Sequence, residues 1–198
     1  MSDLRDRLTR ALAVSSADSS DFDLTPSLDA HEGMTLRAAG VLVPIIKRVD
    51  GPRVVLTKRS SHLAQHPGQI AFPGGKVDPT DTGPRAAALR EAREEIGLPA
   101  DAAEVLGHLP VHRTGTGFEM TPVLALVSAF DPIPEAGEVD EVFDVPLSVV
   151  GDVSRYRVEA RYWRGVLRKY YVVPHGPYYI WGATARILLG LADRLRKC

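Results

Sequence analysis

The strongest constraint on the fold is a run of backbone breakers that stands directly before a helix-forming segment. Residues 60–79 contain six glycines and prolines, which exclude a long helix there and indicate a loop of defined shape. The next segment begins with Pro84, is rich in alanine and is followed by Gly97, so a helix is predicted over about residues 84–96. A shaped loop therefore leads into a helix.

Apolar runs bounded by glycine or proline surround this helix and predict strands. These strands are expected at residues 38–46, 54–57, 104–110, 119–127, 155–161 and 168–173. Spaced leucines predict amphipathic helices near both ends of the chain, around Leu8 and around Leu191. Together these elements predict an α/β protein with a mixed sheet covered on both faces. Residues 1–32 are interpreted as an N-terminal helix and arm, and residues 33–198 as the main domain.

The charge balance excludes partners that bind by overall attraction. The chain has 24 Lys and Arg against 25 Asp and Glu, a net charge of -1, so neither nucleic acid nor an anionic membrane is expected as a partner. Its one cysteine, Cys198, excludes an internal disulfide, and no apolar stretch is long enough for a membrane span. A cytoplasmic location is predicted. A homodimer is possible, because terminal arms and exposed strands often mediate dimers.

Three glutamates are spaced to share one side of the predicted helix. Glu91, Glu94 and Glu95 stand at i, i+3 and i+4, near the negative end of the helix dipole, so their charges need compensation. Ion pairs with Arg90 and Arg93 would provide it on a solvated face. The alternative is Mg²⁺ or Mn²⁺, which prefer carboxylate oxygens and accompany substrate phosphates.

The loop before the helix favours a ligand, because Gly74 and Gly75 lack a Cβ and can bring the backbone close to one. Residues 75–98 resemble the signature of the Nudix hydrolase family, G-x5-E-x7-R-E-U-x-E-E-x-G-U. This chain departs from it at Asp81, which replaces glutamate and is separated from Arg90 by eight residues instead of seven, and at Ala92. The resemblance implies a Nudix-like α/β/α sandwich, pyrophosphohydrolase activity, and Glu91, Glu94 and Glu95 as ligands of Mg²⁺ or Mn²⁺ or as the group that activates water.

A second motif covers residues 55–75 and resembles the accessory motif of the coenzyme A pyrophosphatase branch. The spacing is kept, with Val55 for a leucine and Ala64 where a second arginine is expected. The resemblance implies hydrolysis of coenzyme A, or of its derivatives, to 3′,5′-ADP and 4′-phosphopantetheine. Substrate contacts are predicted for the two glycines and for the nearby cations, namely Arg59, Lys58, Gly74, Gly75 and Lys76.

Several further positions each leave two interpretations open. Glu138 resembles an acidic residue that many Nudix enzymes place opposite the metal helix, so Glu138 or Glu141 is a candidate ligand or base, or part of an ordinary acidic loop. Phe118 and Trp181 either stack on an adenine or pack in the core. Because Ala64 lacks the expected guanidinium, another nucleoside diphosphate derivative is an alternative substrate. A non-catalytic Nudix-fold binding module is the alternative from a different class.

Overall fold

The structure is a computed structural model that describes residues 2–25, 35–163 and 165–198. Residues 26–32 of the predicted arm lie outside the described residues. Over this described part, the centre is a mixed sheet of nine strands. Its strands are β1 (Ser19–Ser20), β2 (Arg37–Arg48), β3 (Gly51–Arg59), β4 (Ile70–Ala71), β5 (Gly74–Lys76), β6 (Ala103–His108), β7 (His112–Arg113), β8 (Phe118–Val127) and β9 (Val139–Pro146).

The remaining elements are helices and a separate hairpin. The hairpin consists of β10 (Arg157–Trp163) and β11 (Val166–Val172), which pair antiparallel. The helices are α1 (Ser2–Ala13), α2 (Pro84–Ile96), α3 (Leu147–Val150) and α4 (Gly182–Arg196), with a 3₁₀ turn at Val153–Arg155. Among the described residues, none of the helices combines the length and the apolar character that crossing a bilayer requires.

The long strand β2 organises the sheet. It runs parallel to β8 and antiparallel to β3, and its N-terminal half also pairs with β5. Strand β3 pairs with β9 along the edge opposite β2 and with β4 on the same edge as β2, while β8 carries β6 and β7 on its far edge. Strand β1 of the N-terminal arm extends the sheet by pairing parallel to β7. The short strand β5 therefore lies against the middle of the fold.

Side chains of β2 alternate between two cores, as the pleat of a strand requires. Leu42 and Ile46 face α2, where Ala92 and Ile96 are buried. Val43 and other residues on the opposite face of β2 pack in the core that holds α1 and α4. Helices thus cover both faces of a mixed sheet, and the predicted Nudix-like α/β/α sandwich is confirmed.

The two terminal helices are joined by a buried arginine. Arg194 of α4 is 5% exposed, and its guanidinium donates to the carbonyls of Ala11 and Leu12 at 2.9 and 3.2 Å and to Ser16 Oγ at 2.8 Å. These carbonyls lie in the last turn of α1, where the helix leaves carbonyls unpaired, and that of Ala11 also accepts the N–H of Val14 at 3.3 Å. Leu8 of α1 is fully buried in the same core. The division between residues 1–32 and 33–198 stays a prediction.

Helix α2 spans the residues that its sequence predicts. It starts at Pro84 and stops at Gly97, whose φ of 67° is the left-handed conformation that glycine adopts freely, and whose N–H donates to the carbonyl of Arg93. The predicted strands differ from the observed ones by a few residues. Gly51 and Pro52, which lie between two of the predicted strands, are the first residues of β3, and Arg155 lies in the 3₁₀ turn before β10.

The interpretation of the residues after Glu138 as an acidic loop is wrong for most of the segment, because Val139–Pro146 forms β9 along the edge of β3. Its acidic residues interrupt the apolar pattern by which a strand is recognised in the sequence. Asp144 is bound from β2 and β3 by Arg48 at 3.0 Å and Arg53 at 2.5 Å. Asp144 therefore pairs with arginines of other strands instead of marking a loop.

Candidate active site

The candidate site is built around the two glycines of β5. A Cβ on Gly74, whose φ is 153°, would lie 2.6 Å from the backbone Cα of Val41. A Cβ on Gly75 would lie 2.5 Å from Cδ of Glu91. Only residues without side chains let β5 pass between β2 and the carboxylates of α2.

Glu95 is the most buried carboxylate of α2. It is 5% exposed, and one of its oxygens accepts the backbone N–H of Gly74 at 3.0 Å. Burial raises the pKa of Glu95 to about 7, and the charges of Glu91 and Glu138 act in the same direction. Burial likewise raises the pKa of Glu91, against the opposing effect of Arg90. Two acidic side chains of α2 are thus partly desolvated beside the glycines.

Arg90 connects the helix to the loop that precedes it. Its Nη2 and Nε donate to both oxygens of Asp81 at 2.9 and 3.2 Å, and Nη2 also donates to the carbonyl of Lys76 at 3.2 Å. Its Nη1 donates to Glu91 and Glu94, each at 2.9 Å. The Arg90 guanidinium lowers the pKa of Asp81. Aspartate therefore makes a two-point ion pair here despite its shorter side chain and altered spacing.

The structure brings some of the predicted carboxylates together and separates others. Glu91, Glu95 and Glu138 are close enough to influence one another electrostatically. The side chain of Glu94 is 57% exposed and turned to Arg90, so the predicted ion pair on the helix surface is present. Within the described chain, no three acidic, histidine or cysteine side chains already form a cluster that could hold a metal ion.

The donors that fit a divalent cation are Glu91 and Glu95. Their partly buried carboxylates are hard oxygen donors, and they lie against Gly74 and Gly75, where the missing Cβ atoms leave the backbone accessible. The chemistry of this set suits Mg²⁺ or Mn²⁺ better than softer metals that prefer sulfur.

A cleft of about 500 Å³ borders β5 on its other side. Gly74, Gly75 and Lys76 line it together with Arg59, whose Nε is buried and has no hydrogen-bond partner in the described part of the chain. A buried donor without an acceptor is costly, so this guanidinium is available for an anionic ligand. Phe118 also lines the cleft, as do the aromatic rings of Tyr170 and Trp181.

Several predicted residues do not line this cleft, namely Lys58 and the carboxylates Glu91, Glu94, Glu95, Glu138 and Glu141. Lys58 is not among its lining residues, and its charge instead acts on Asp140. Glu141 accepts a hydrogen bond from the hydroxyl of Tyr178, which raises the pKa of Tyr178 to about 12. Of the two candidates at the start of β9, Glu138 is therefore the one that acts on the α2 carboxylates.

One wall of the cleft was not predicted, because it comes from the N-terminal arm. Asp21 accepts hydrogen bonds from Nε2 of His112 at 3.0 Å and from the N–H of Gly115 at 2.8 Å. Nδ1 of the same buried imidazole is 2.9 Å from Ser19 Oγ. Burial alone would raise the pKa of Asp21, but these bonds and the charge of Arg168 outweigh it and lower the pKa. No local pattern links residues 93 positions apart.

The β10–β11 hairpin supplies another wall that sequence analysis missed. Arg161, Arg168, Lys169 and Tyr170 all line the cleft. The signal was the mixture of cationic and aromatic residues in the hairpin sequence. On its own this mixture also fits an exposed surface hairpin, so it does not place the two strands at the cleft.

Comparison with known proteins agrees with this architecture. The family model of the NUDIX domain matches residues 36–161. Proteins named uncharacterized Nudix hydrolase NudL, from Salmonella paratyphi B and Salmonella newport, are each 41% identical over 174 residues, which cover 87% of this chain and 90% of the relative.

Solved structures show the same fold. A Nudix hydrolase from M. smegmatis, RenU, is 28% identical with a TM-score of 0.50, over 59% of this chain and 74% of its own. A MutT/nudix family protein from Enterococcus faecalis has a TM-score of 0.50 at 15% identity, over 100% of this chain and 75% of its own. The matched domain and the 41% identical relatives establish that the chain belongs to the Nudix hydrolase family.

Proposed function

We propose that this Nudix hydrolase cleaves the pyrophosphate bond of coenzyme A or its acyl derivatives, releasing 3′,5′-ADP and 4′-phosphopantetheine or its acyl form. The observation that carries the proposal is the position of Arg59 from the accessory motif. Arg59 lines the cleft on the side of β5 away from the α2 carboxylates, its buried Nε has no partner in the described residues, and its charge acts on Glu95. A diphosphate in this cleft would contact the guanidinium beside Gly74 and Gly75.

The reaction requires neutralised phosphate charge and a site that accepts a proton. Glu91 and Glu95, with Glu94 after it leaves Arg90, are the proposed ligands for Mg²⁺ or Mn²⁺. Such an ion polarises phosphate oxygens and lowers the pKa of bound water. Arg59 and Lys76 would bind the phosphate oxygens and orient the anhydride bond. Glu138 is exposed at the start of β9 and is the proposed base.

A different nucleoside diphosphate derivative is the second candidate substrate. Ala64 is exposed and cannot bind phosphate, while its neighbours Gln65 and His66 line the cleft. A cleft edge of this kind would also accept the sugar of a nucleoside diphosphate sugar through hydrogen bonds. Family membership favours an enzyme over a non-catalytic module.

The direct test incubates the purified protein with coenzyme A and Mg²⁺ or Mn²⁺ and identifies the products by mass spectrometry. We expect 3′,5′-ADP and 4′-phosphopantetheine, with loss of turnover after chelation of the metal and in Glu95→Gln. A panel of nucleoside diphosphate sugars and dinucleotides runs in parallel. Turnover of a panel member without turnover of coenzyme A would show that coenzyme A is not the substrate. Equal product from Glu95→Gln and wild type would show that Glu95 is not part of the active site.

Three further proposals concern the whole molecule. A cytoplasmic location is tested by cell fractionation, and a homodimer by light scattering during gel filtration. The boundary between residues 1–32 and 33–198 is tested by limited proteolysis.

A further inference from the structure

Strand β10 has one edge that lacks a partner strand. Its other edge pairs with β11, and in the described part of the chain no backbone hydrogen bond joins residues 157–163 to any other element. Such an edge presents a row of N–H and C=O groups with which a further strand can pair. The hairpin is a sheet of only two strands, and two strands alone are marginally stable in water. A further strand at this edge would therefore stabilise it.

The same strand exposes large apolar side chains. Val158 is 50% exposed and Tyr162 is 75% exposed, and both lie on one face of the hairpin with Leu167 of β11, which is 42% exposed. Because side chains alternate along a strand, Glu159 and Arg161 lie on the other face. Exposed apolar side chains that lie together mark a surface for interaction with another molecule.

The charges of β10 are incompletely paired within the chain. Arg161 lies directly opposite Arg168 in the hairpin, and like charges in such positions repel one another. The Cζ of Arg161 lies 5.9 Å from the ring centroid of Trp181, and no ion pair of this guanidinium occurs within the described ranges. Glu159 accepts the hydroxyl hydrogen of Tyr179 at 2.6 Å through one of its two carboxylate oxygens. A cation and an anion on the same face of β10 can thus each bind an opposite charge.

The sequence of β10 is complementary to itself when two copies run antiparallel. With Ala160 opposite the partner's Ala160, Glu159 lies opposite the partner's Arg161, and Val158 lies opposite the partner's Tyr162. Opposite charges, and aromatic residues beside β-branched ones, stabilise antiparallel strands in these positions. A shift by two residues instead brings Glu159 opposite the partner's Glu159, or Arg161 opposite the partner's Arg161. The charges therefore select one register.

We propose that β10 pairs antiparallel with β10 of a second copy of this chain, about a two-fold axis at Ala160. The two hairpins then form one sheet of four strands, and each pair of opposite charges occurs twice by symmetry. An interface built on one short strand is smaller than that of a permanent dimer, so we expect a Kd of about 1–100 µM. Because Arg161 lines the cleft beside β5, the partner's Glu159 lies at the rim of that cleft.

The test uses charge reversal at the two edge positions. Analytical ultracentrifugation of the full chain, at concentrations from about 1 to 500 µM, should show wild type passing from monomer to dimer. Glu159→Arg and Arg161→Glu each place like charges opposite one another twice, so either variant alone should dimerise at least about tenfold more weakly. An equimolar mixture of the two variants restores both opposite-charge pairs and should form a heterodimer with nearly the wild-type Kd.

Labelling and a control variant make the result specific. The exposed Cys198 is the one cysteine of the chain, so a fluorophore on it lets one variant be followed in the mixture. Lys169→Glu is the matched control, because it reverses a hairpin cation on β11, one strand away from the proposed interface. It should leave the Kd within about threefold of wild type. Circular dichroism and thermal melts verify that each variant is folded.

The outcomes separate this inference from the proposed function. Wild type that stays monomeric at every concentration would overturn the interface. A Kd that is unchanged in both folded single variants, or a mixture that binds no more tightly than each variant alone, would place dimerisation elsewhere and overturn it as well. A dimer that follows the charge pattern without hydrolysis of coenzyme A would support the interface and overturn only the proposed function.

Discussion

Adding one methyl group to β5 tests whether the position of Glu91 is essential. Gly75→Ala would place its Cβ 2.5 Å from Cδ of Glu91, whereas ordinary contacts of a Cβ begin at 3.4 Å. The Glu91 carboxylate must therefore move by about 1 Å. Because it is the far end of a flexible side chain, and the φ of Gly75 is not in the left-handed region, the backbone can stay in place.

The expected effect is large on catalysis and small on stability. A displacement of about 1 Å in a catalytic group can cost about a hundredfold in rate, so kcat/KM should fall by roughly that factor. The free energy of unfolding should change by less than about 1 kcal/mol, which for a chain of this size shifts Tm by less than about 4 °C. Gly75→Ala is thus expected to lose catalytic activity while it keeps its stability.

Gly74→Ala is the matched control. Its Cβ would meet the backbone of Val41 at 2.6 Å, at a φ of 153° that other residues rarely adopt. Backbone cannot give way as a side chain can, so this variant should lose about 2–4 kcal/mol of stability. Thermal melts and steady-state kinetics with coenzyme A and Mn²⁺ measure both quantities. Wild-type kcat/KM in a folded Gly75→Ala protein would refute the role given to Glu91.

Three further predictions concern stability. Asp21→Asn should lower the free energy of unfolding by about 1–3 kcal/mol at pH 7. The folded-state pKa of Asp21 lies below its usual 3.8, so the greater stability of the wild type is present above that pH and is lost as the pH falls through the folded-state pKa. Urea unfolding curves of the two proteins that stay equally separated in acid would contradict this. Leu124→Ala removes a fully buried side chain and should cost about 2–5 kcal/mol in a thermal melt, while Val49→Ala at an exposed turn should change stability by less than about 0.5 kcal/mol. Gly97→Ala, at a φ of 67°, should cost about 1–2 kcal/mol, and an unchanged Tm would argue against the left-handed helix end.

Local signals predict the helix of the site well. Pro84 and Gly97 each act on their own backbone, so the limits of α2 can be read from neighbouring residues. The spacing of Glu91 and Glu95 likewise follows from the geometry of one helix. Their burial does not, because it depends on how closely β5 approaches α2.

Contacts between distant segments account for what sequence analysis missed. Apolar and polar residues do not alternate regularly in the sequence of β9. Its Asp144 pairs with arginines on β2 and β3, a contact that only the sheet register shows. Asp21 and Lys169 reach the cleft from outside the recognised motifs. Their roles depend on tertiary placement, which composition and periodicity do not contain.

The buried Arg194 has a consequence for the order in which the molecule is completed. The carbonyl of Ala11 accepts a guanidinium N–H from a residue 183 positions later, so α1 lacks that partner until synthesis has passed Arg194. Such distant pairing slows folding. Trimming either terminus would loosen the opposite one.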